Sequence, residues 1–206
     1  MYKVISTNFC KVITLTVFIL TYFSFFSFSN SNDNLIQKIN LLHEGILNIS
    51  KEETVSKKDI DKLKKIIVKV YDYEKMIKMI VGIDNWKTIN SNQRVELIET
   101  FQTYISYNYI KRFSNINNFS FKFRDYQDIG KKYKLVRTYL VLSKDEKIQI
   151  DYLFRSIDED WRIFDVLLEG TISEIATKKS EFSKIIEEKG VDALANSIKK
   201  KFIIKN

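Results

Sequence analysis

FSFKFRDYQDIGKKYKLVRTYLVLSKDEKIQIDYLFRSIDEDWRIFDVLL, residues 119–168, is the stretch on which the fold turns. Its opening alternates Phe119, Phe121 and Phe123 with Ser120, Lys122 and Arg124, the period of two of a half-buried strand. A second strand is predicted over Lys134–Leu142. The turn Ser143-Lys144-Asp145-Glu146 leads to a third, in which Ile148, Ile150, Tyr152 and Phe154 alternate with Gln149, Asp151, Leu153 and Arg155. Asp158-Glu159-Asp160 makes the next tight turn, and Trp161–Leu168 is the fourth strand. Connections this short join antiparallel neighbours, so the stretch reads as a four-stranded meander.

On either side the period changes to that of helices. Leu35, Ile39, Leu42 and Ile46 recur at steps of three and four. Thr54 or Ser56 is placed to cap a second helix with Ile60, Leu63, Ile67 and Val70 as its apolar stripe, and Ser56 with Asp59 resembles a capping box. Asp72 caps a short helix, Tyr73 to Val81, whose Met76, Ile77 and Ile80 face inward, and Gly82 suits its C-terminal cap. Ser91 is expected to cap a long helix with Val95, Ile98, Phe101, Gln102 and Ile105 on one side, flanked by Leu97, Tyr104 and Tyr109. After Gly170 the helical period returns with Ile175, Phe182, Ile185 and Ile186. Gly190 breaks it, and a last helix runs from Val191 to about Phe202. The fold class is therefore α+β: N-terminal helices, a four-stranded antiparallel sheet, and C-terminal helices packing back on it.

Hydrophobic residues make up 45% of the 206 residues, enough for a packed core in one domain, and Pro is absent, so no Pro-rich linker divides the chain. The net charge of +8 is spread among Glu and Asp rather than gathered in blocks, which fits a solvated helix surface better than a nucleic-acid track. The first residues read as an export signal over 1–31. Lys3 and Lys11 precede an uncharged run from Val12 to Phe28, and Ser27-Phe28-Ser29 and Ser29-Asn30-Ser31 fit small-x-small cleavage. An uncleaved membrane anchor is the other reading of that run. The domain proper is then 32–206. Cys10, the single cysteine, lies in the export segment, so the exported chain is expected to form no disulfide.

The usual catalytic sets are missing from the sequence. His43 is the only histidine and sits on an amphipathic helix, where a surface or boundary position is the ordinary expectation. One His without a Cys supplies neither the common zinc sets nor a Ser-His or Cys-His pair, and no Gly-rich phosphate loop is present. Asp151 and Asp165 fall on neighbouring strands, where pairing with Arg137 or Arg162 is the plainer reading than an acid/base dyad. No metal or cofactor is expected, and the chain is expected not to be an enzyme or to bind nucleic acid.

Two segments resemble the MlaC (toluene-tolerance) family of periplasmic phospholipid-binding proteins. Trp161-Arg162-Ile163-Phe164-Asp165-Val166-Leu167-Leu168-Glu169-Gly170 resembles that family's Trp-x-[Ile/Val]-[Tyr/Phe]-Asp-Val-x-x-Glu-Gly signature. It continues through Ile172-Ser173, Thr177-Lys178-Lys179-Ser180-Glu181-Phe182 and Gly190-Val191-Asp192-Ala193-Leu194. Tyr73-Glu74-Lys75-Met76 with Gly82 and Trp86, then Gln93-Arg94 and Phe101, is the weaker match. The departures are an added Thr171, Lys178-Lys179 in place of arginine, and a longer gap from Gly82 to Trp86.

The resemblance implies a soluble, monomeric periplasmic carrier of phospholipid. Its implied partners are an inner-membrane ABC transporter complex and an outer-membrane lipoprotein–porin complex, and its role is to maintain outer-membrane lipid asymmetry. An exported adaptor or scaffold of similar fold is the alternative. A diacyl lipid has about thirty methylenes, and at ~0.8 kcal/mol each their exposure costs roughly 20 kcal/mol or more, so a carrier needs an apolar cavity. The candidate lining on the sheet is Phe121, Phe123, Ile148, Ile150, Tyr152 and Phe154. On the helices it is Met76, Met79, Ile80, Ile98, Phe101 and Ile105. Strand parity decides which side faces the cavity. The stretch from Trp161 to Gly190 reads as scaffold rather than lipid contact.

Overall fold

Three helix starts among the described residues are marked by side-chain acceptors. Asp72 Oδ1 accepts from the Lys75 N–H at 3.1 Å, Asn90 Oδ1 from the Gln93 N–H at 3.0 Å, and Ser173 Oγ from the Ala176 N–H at 3.0 Å. Each satisfies a first-turn donor that lacks an intrahelical partner. The computed structural model describes residues 31–51, 56–158 and 160–201. The expected export segment, with Cys10, lies outside them apart from Ser31, as do Thr54, Glu159 and Phe202. Five helices come first: α1 (Ser31–Ser50), α2 (Lys57–Val70), α3 (Tyr73–Val81), α4 (Ile83–Thr88) and α5 (Ser91–Phe113). The strands β1 (Ser120–Asp128), β2 (Tyr133–Val141), β3 (Lys147–Ile157), β4 (Asp160–Leu168) and β5 (Ile172–Ser173) follow, then α6 (Glu174–Lys189) and α7 (Asp192–Lys199).

The α+β class holds, with two additions. The sheet has five strands in the order β1-β2-β3-β4-β5, not four. Glu169 and Gly170 both take positive φ (53° and 72°), and this tight turn folds Ile172 and Ser173 back on Leu168 and Leu167 before the helix begins. Gly170 suits this turn because L side chains rarely adopt its positive φ. The second addition is α4, which fills the long gap between Gly82 and Trp86 and buries Trp86. The cap of α5 is Asn90 rather than Ser91, with the Asn90 N–H donating to Gln93 Oε1 at 2.7 Å to close a capping box.

One face of the sheet carries Val136, Thr138 and Leu140 of β2, Ile150, Tyr152 and Phe154 of β3, and Trp161 and Ile163 of β4, all buried. Side chains of every described helix from α1 to α7 join this core. A bulge between Phe123 and Asp125 leaves Arg124 unpaired, so Tyr126 returns to the face of Phe123. A second leaves Phe164 unpaired opposite Leu153 and Phe154. The inward stripe of α5 is centred on Leu97, Phe101 and Tyr104, whereas Val95, expected on that stripe, is exposed. The helix packs against α2, α3 and α7, so more than one of its sides is covered and its period reads ambiguously.

Asp165 does not join Asp151 in a dyad. Its carboxylate accepts from the Ser173 hydroxyl at 2.6 Å, the Ile175 N–H at 3.1 Å and the Val166 N–H at 2.8 Å, and so fixes the start of α6. Asp151 accepts from Gln149 Nε2 at 2.8 Å and lies opposite Arg137 in the register. Asp165→Ala is expected to lower unfolding free energy by about 2 kcal/mol, since a cap and a buried hydrogen-bond set are removed together. Urea unfolding measures it, and a loss no larger than that of an exposed surface substitution contradicts the assignment.

Candidate functional site

Four of the helical candidates converge. Met76 and Ile80, one turn apart on α3, face Phe101 and Ile105, one turn apart on α5, across a cleft. Ile175 of α6 and Val166 of β4 close its remaining sides. Its volume is about 50 Å³, room for a few waters and far too little for an acyl chain. The helices therefore lie nearly closed on one another.

Polar groups line the cleft as well. Tyr71 and Tyr109 hydrogen-bond to each other through their hydroxyls. Burial pushes the Tyr109 phenol up to about 12 and that of Tyr71 well above its ordinary value, so both remain neutral. Asn108, Arg112, Glu174 and Lys178 also line it. Glu174 lies 3.5 Å from Arg112 and 3.8 Å from Lys178. Lys178 also donates to Glu181 at 2.7 Å and lies 5.4 Å from the Tyr104 ring centroid. Burial lowers its ammonium, but the bonds to Glu181 and Tyr104 reverse this and leave it above its ordinary value.

The remaining candidates lie elsewhere. Met79 is 39% exposed and lines an open groove with Ile83, since it points from α3 away from α5. Ile98 is half-buried against the core and off the cleft wall. Phe121 and Ile148 are half-buried, and Ile150, Tyr152 and Phe154 are buried on the helix-facing side of the sheet, yet none of the five lines the cleft. They are filled core beneath the helices. Phe123 is 43% exposed, because β1 is an edge strand whose outer part no described helix covers.

His43 departs from expectation as well. It is buried, stacks on Phe121 at 3.9 Å between centroids, and forms a 3.0 Å hydrogen bond between Nε2 and the Tyr152 hydroxyl. An amphipathic helix accepts a His on its inner face when a buried phenol satisfies the ring nitrogen. The stretch from Trp161 to Gly190 is more than scaffold, since Val166, Glu174, Ile175 and Lys178 all reach the cleft. The signal for the missed positions was the spacing Phe101, Ile105, Asn108, Arg112, one face of α5 that grades from apolar to charged. Among the described residues, no group of three or more His, Cys, Asp or Glu is placed to hold a metal ion, and no helix is long and apolar enough to cross a membrane.

Known proteins resemble this chain in sequence pattern and in fold. A phospholipid-binding protein from Ralstonia solanacearum, solved in complex with a phospholipid, superposes with a TM-score of 0.69. It is 15% identical, and the match covers 84% of this chain and 97% of that one. The comparison with curated proteins returns no match. The family model described as MlaC protein matches residues 42–200, most of the chain and every element from α2 to α7. The chain belongs to the MlaC family.

Proposed function

We propose that this protein is an exported, soluble phospholipid carrier. It works in the periplasm as a monomer, between an inner-membrane ABC transporter complex and an outer-membrane lipoprotein–porin complex, and maintains the lipid asymmetry of the outer membrane. It moves lipid without hydrolysing it. The observation that carries the reading is the cleft: an apolar wall of Met76, Ile80, Phe101 and Ile105 beside the charged side chains of Arg112, Glu174 and Lys178. Family membership and a shared fold with a phospholipid-bound protein support it.

A cleft of about 50 Å³ must open to admit an acyl chain, so α5 separates from α3 and α6 as lipid enters. Burying the methylenes, at ~0.8 kcal/mol each, offsets the apolar packing that the parting helices give up. The small volume also fits the second reading, an exported adaptor with a filled core. Mass spectrometry of lipid extracted from protein purified without detergent decides between them. Stoichiometric phospholipid supports the carrier. Lipid-free protein that takes up none from vesicles supports the adaptor.

Ile105→Trp is expected to weaken lipid binding about a hundredfold, because the ring displaces some four methylenes, roughly 3 kcal/mol. Overpacking the closed cleft costs about 1–3 kcal/mol of stability, so the variant remains folded. Undiminished lipid content in folded Ile105→Trp places the chains elsewhere.

A further inference from the structure

One ion pair at the cleft, Arg112–Glu174, joins two elements that opening must separate, while Glu174–Lys178 lies within α6. Arg112 is in the last turn of α5, Glu174 in the first turn of α6, and Lys178 one turn further along α6. These three side chains and Asn108 line the same cleft as the apolar wall. Glu174 reaches both cations only at long distance, 3.5 and 3.8 Å, and its side chain is 29% exposed beside an Arg112 that is 56% exposed. The solvated Arg112–Glu174 pair contributes little to stability and exchanges readily, while Lys178, 13% exposed, keeps its 2.7 Å bond to Glu181 whether or not Glu174 stays beside it.

We infer that the Glu174 carboxylate holds the place of a lipid phosphate: on loading, the phosphodiester replaces it between Arg112 and Lys178. The inference rests on the carrier reading. The planar guanidinium of Arg112 matches two phosphate oxygens, and the Lys178 ammonium supplies a second positive charge. Asn108 adds a neutral amide donor on the same face of α5. The acyl chains then follow the apolar wall inward, past Ile105 and Phe101. Glu174 is a competitor that closes the empty cleft, and lipids without a phosphate gain nothing from displacing it.

The test uses short-chain phosphatidylglycerol and a diacylglycerol with the same chains, each dispersed below its solubility limit, with titration of the whole exported chain. Replacing both cations, Arg112→Gln with Lys178→Gln, is expected to weaken phosphatidylglycerol binding tenfold or more without weakening diacylglycerol binding, since the same change also frees the cleft from Glu174. Retained diacylglycerol binding also shows that the variant is folded. Glu174→Gln is expected to tighten phosphatidylglycerol binding severalfold and diacylglycerol binding less. Equal effects on the two lipids, or none, overturn the inference while leaving the carrier standing. Wild-type protein that binds neither lipid removes both. Inorganic phosphate alone is expected to show no measurable binding, and phosphate bound as tightly as phosphatidylglycerol overturns the lipid assignment.

Discussion

Phe154→Ala is expected to lower the free energy of unfolding by about 3–5 kcal/mol, the range for emptying a fully packed aromatic site. Phe154 has no exposed surface and lies in the middle of the sheet, between Lys134 on β2 and Ile163 on β4. Core density there leaves neighbouring side chains little freedom to collapse into the space. Phe123, drawn from the same alternating pattern, is expected to cost under about 0.5 kcal/mol on the same change, as an exposed edge residue. Urea unfolding of the two variants measures the contrast. Similar losses at both positions mean that β1 is more deeply covered than the fold shows.

Acid should destabilise the protein through one residue. Burial away from water holds the His43 imidazole down to about 3, against 6.5 in an unfolded chain. Below pH 6.5 the unfolded state therefore binds a proton that the folded state refuses. The stabilisation is fully present above 6.5 and falls as the pH drops toward 3. The slope approaches 1.4 kcal/mol per pH unit, so about 2 kcal/mol is lost between pH 7.5 and 5. Asp59, Asp160 and Glu181, all held below their ordinary values, add their losses only nearer 3.8 to 4.5. Asp151, raised by burial, acts in the opposite sense and at pH above 3.8. His43→Gln removes the titration, and its stability is expected to be nearly flat between pH 7.5 and 5. A wild-type slope matched by the variant assigns the effect to other groups.

The sheet was legible because period-two alternation is short-ranged and its turns are polar. Strands β2, β3 and β4 needed no knowledge of what lay above them. The fifth strand was not legible, since two residues after Gly170 carry no period. The cleft was legible only on its apolar side. Met76, Ile80, Phe101 and Ile105 announce themselves by spacing and hydrophobicity. Arg112, Glu174 and Lys178 look like any solvated helix ends until the fold brings two helices together. His43 shows the same limit, because its burial depends on Tyr152, 109 residues away. The strand side chains show the converse limit. An apolar face beneath helices looks identical whether it is filled or hollow, and here Ile150, Tyr152 and Phe154 are filled core.

The near-closure of the cleft has a thermodynamic consequence for release. A rigid hollow would leave its walls unsolvated and unpacked once emptied, so cargo would leave only against the whole of its binding enthalpy. In the proposed carrier Met76 and Ile80 would regain Phe101 and Ile105 as partners when the cavity collapses. Part of the free energy of holding a lipid would thereby be returned on unloading, and the affinity would be scaled down by the fraction of molecules already open. A carrier of the proposed kind would then be tuned for turnover rather than retention. Changes that favour the open state would make it bind more tightly and deliver more slowly.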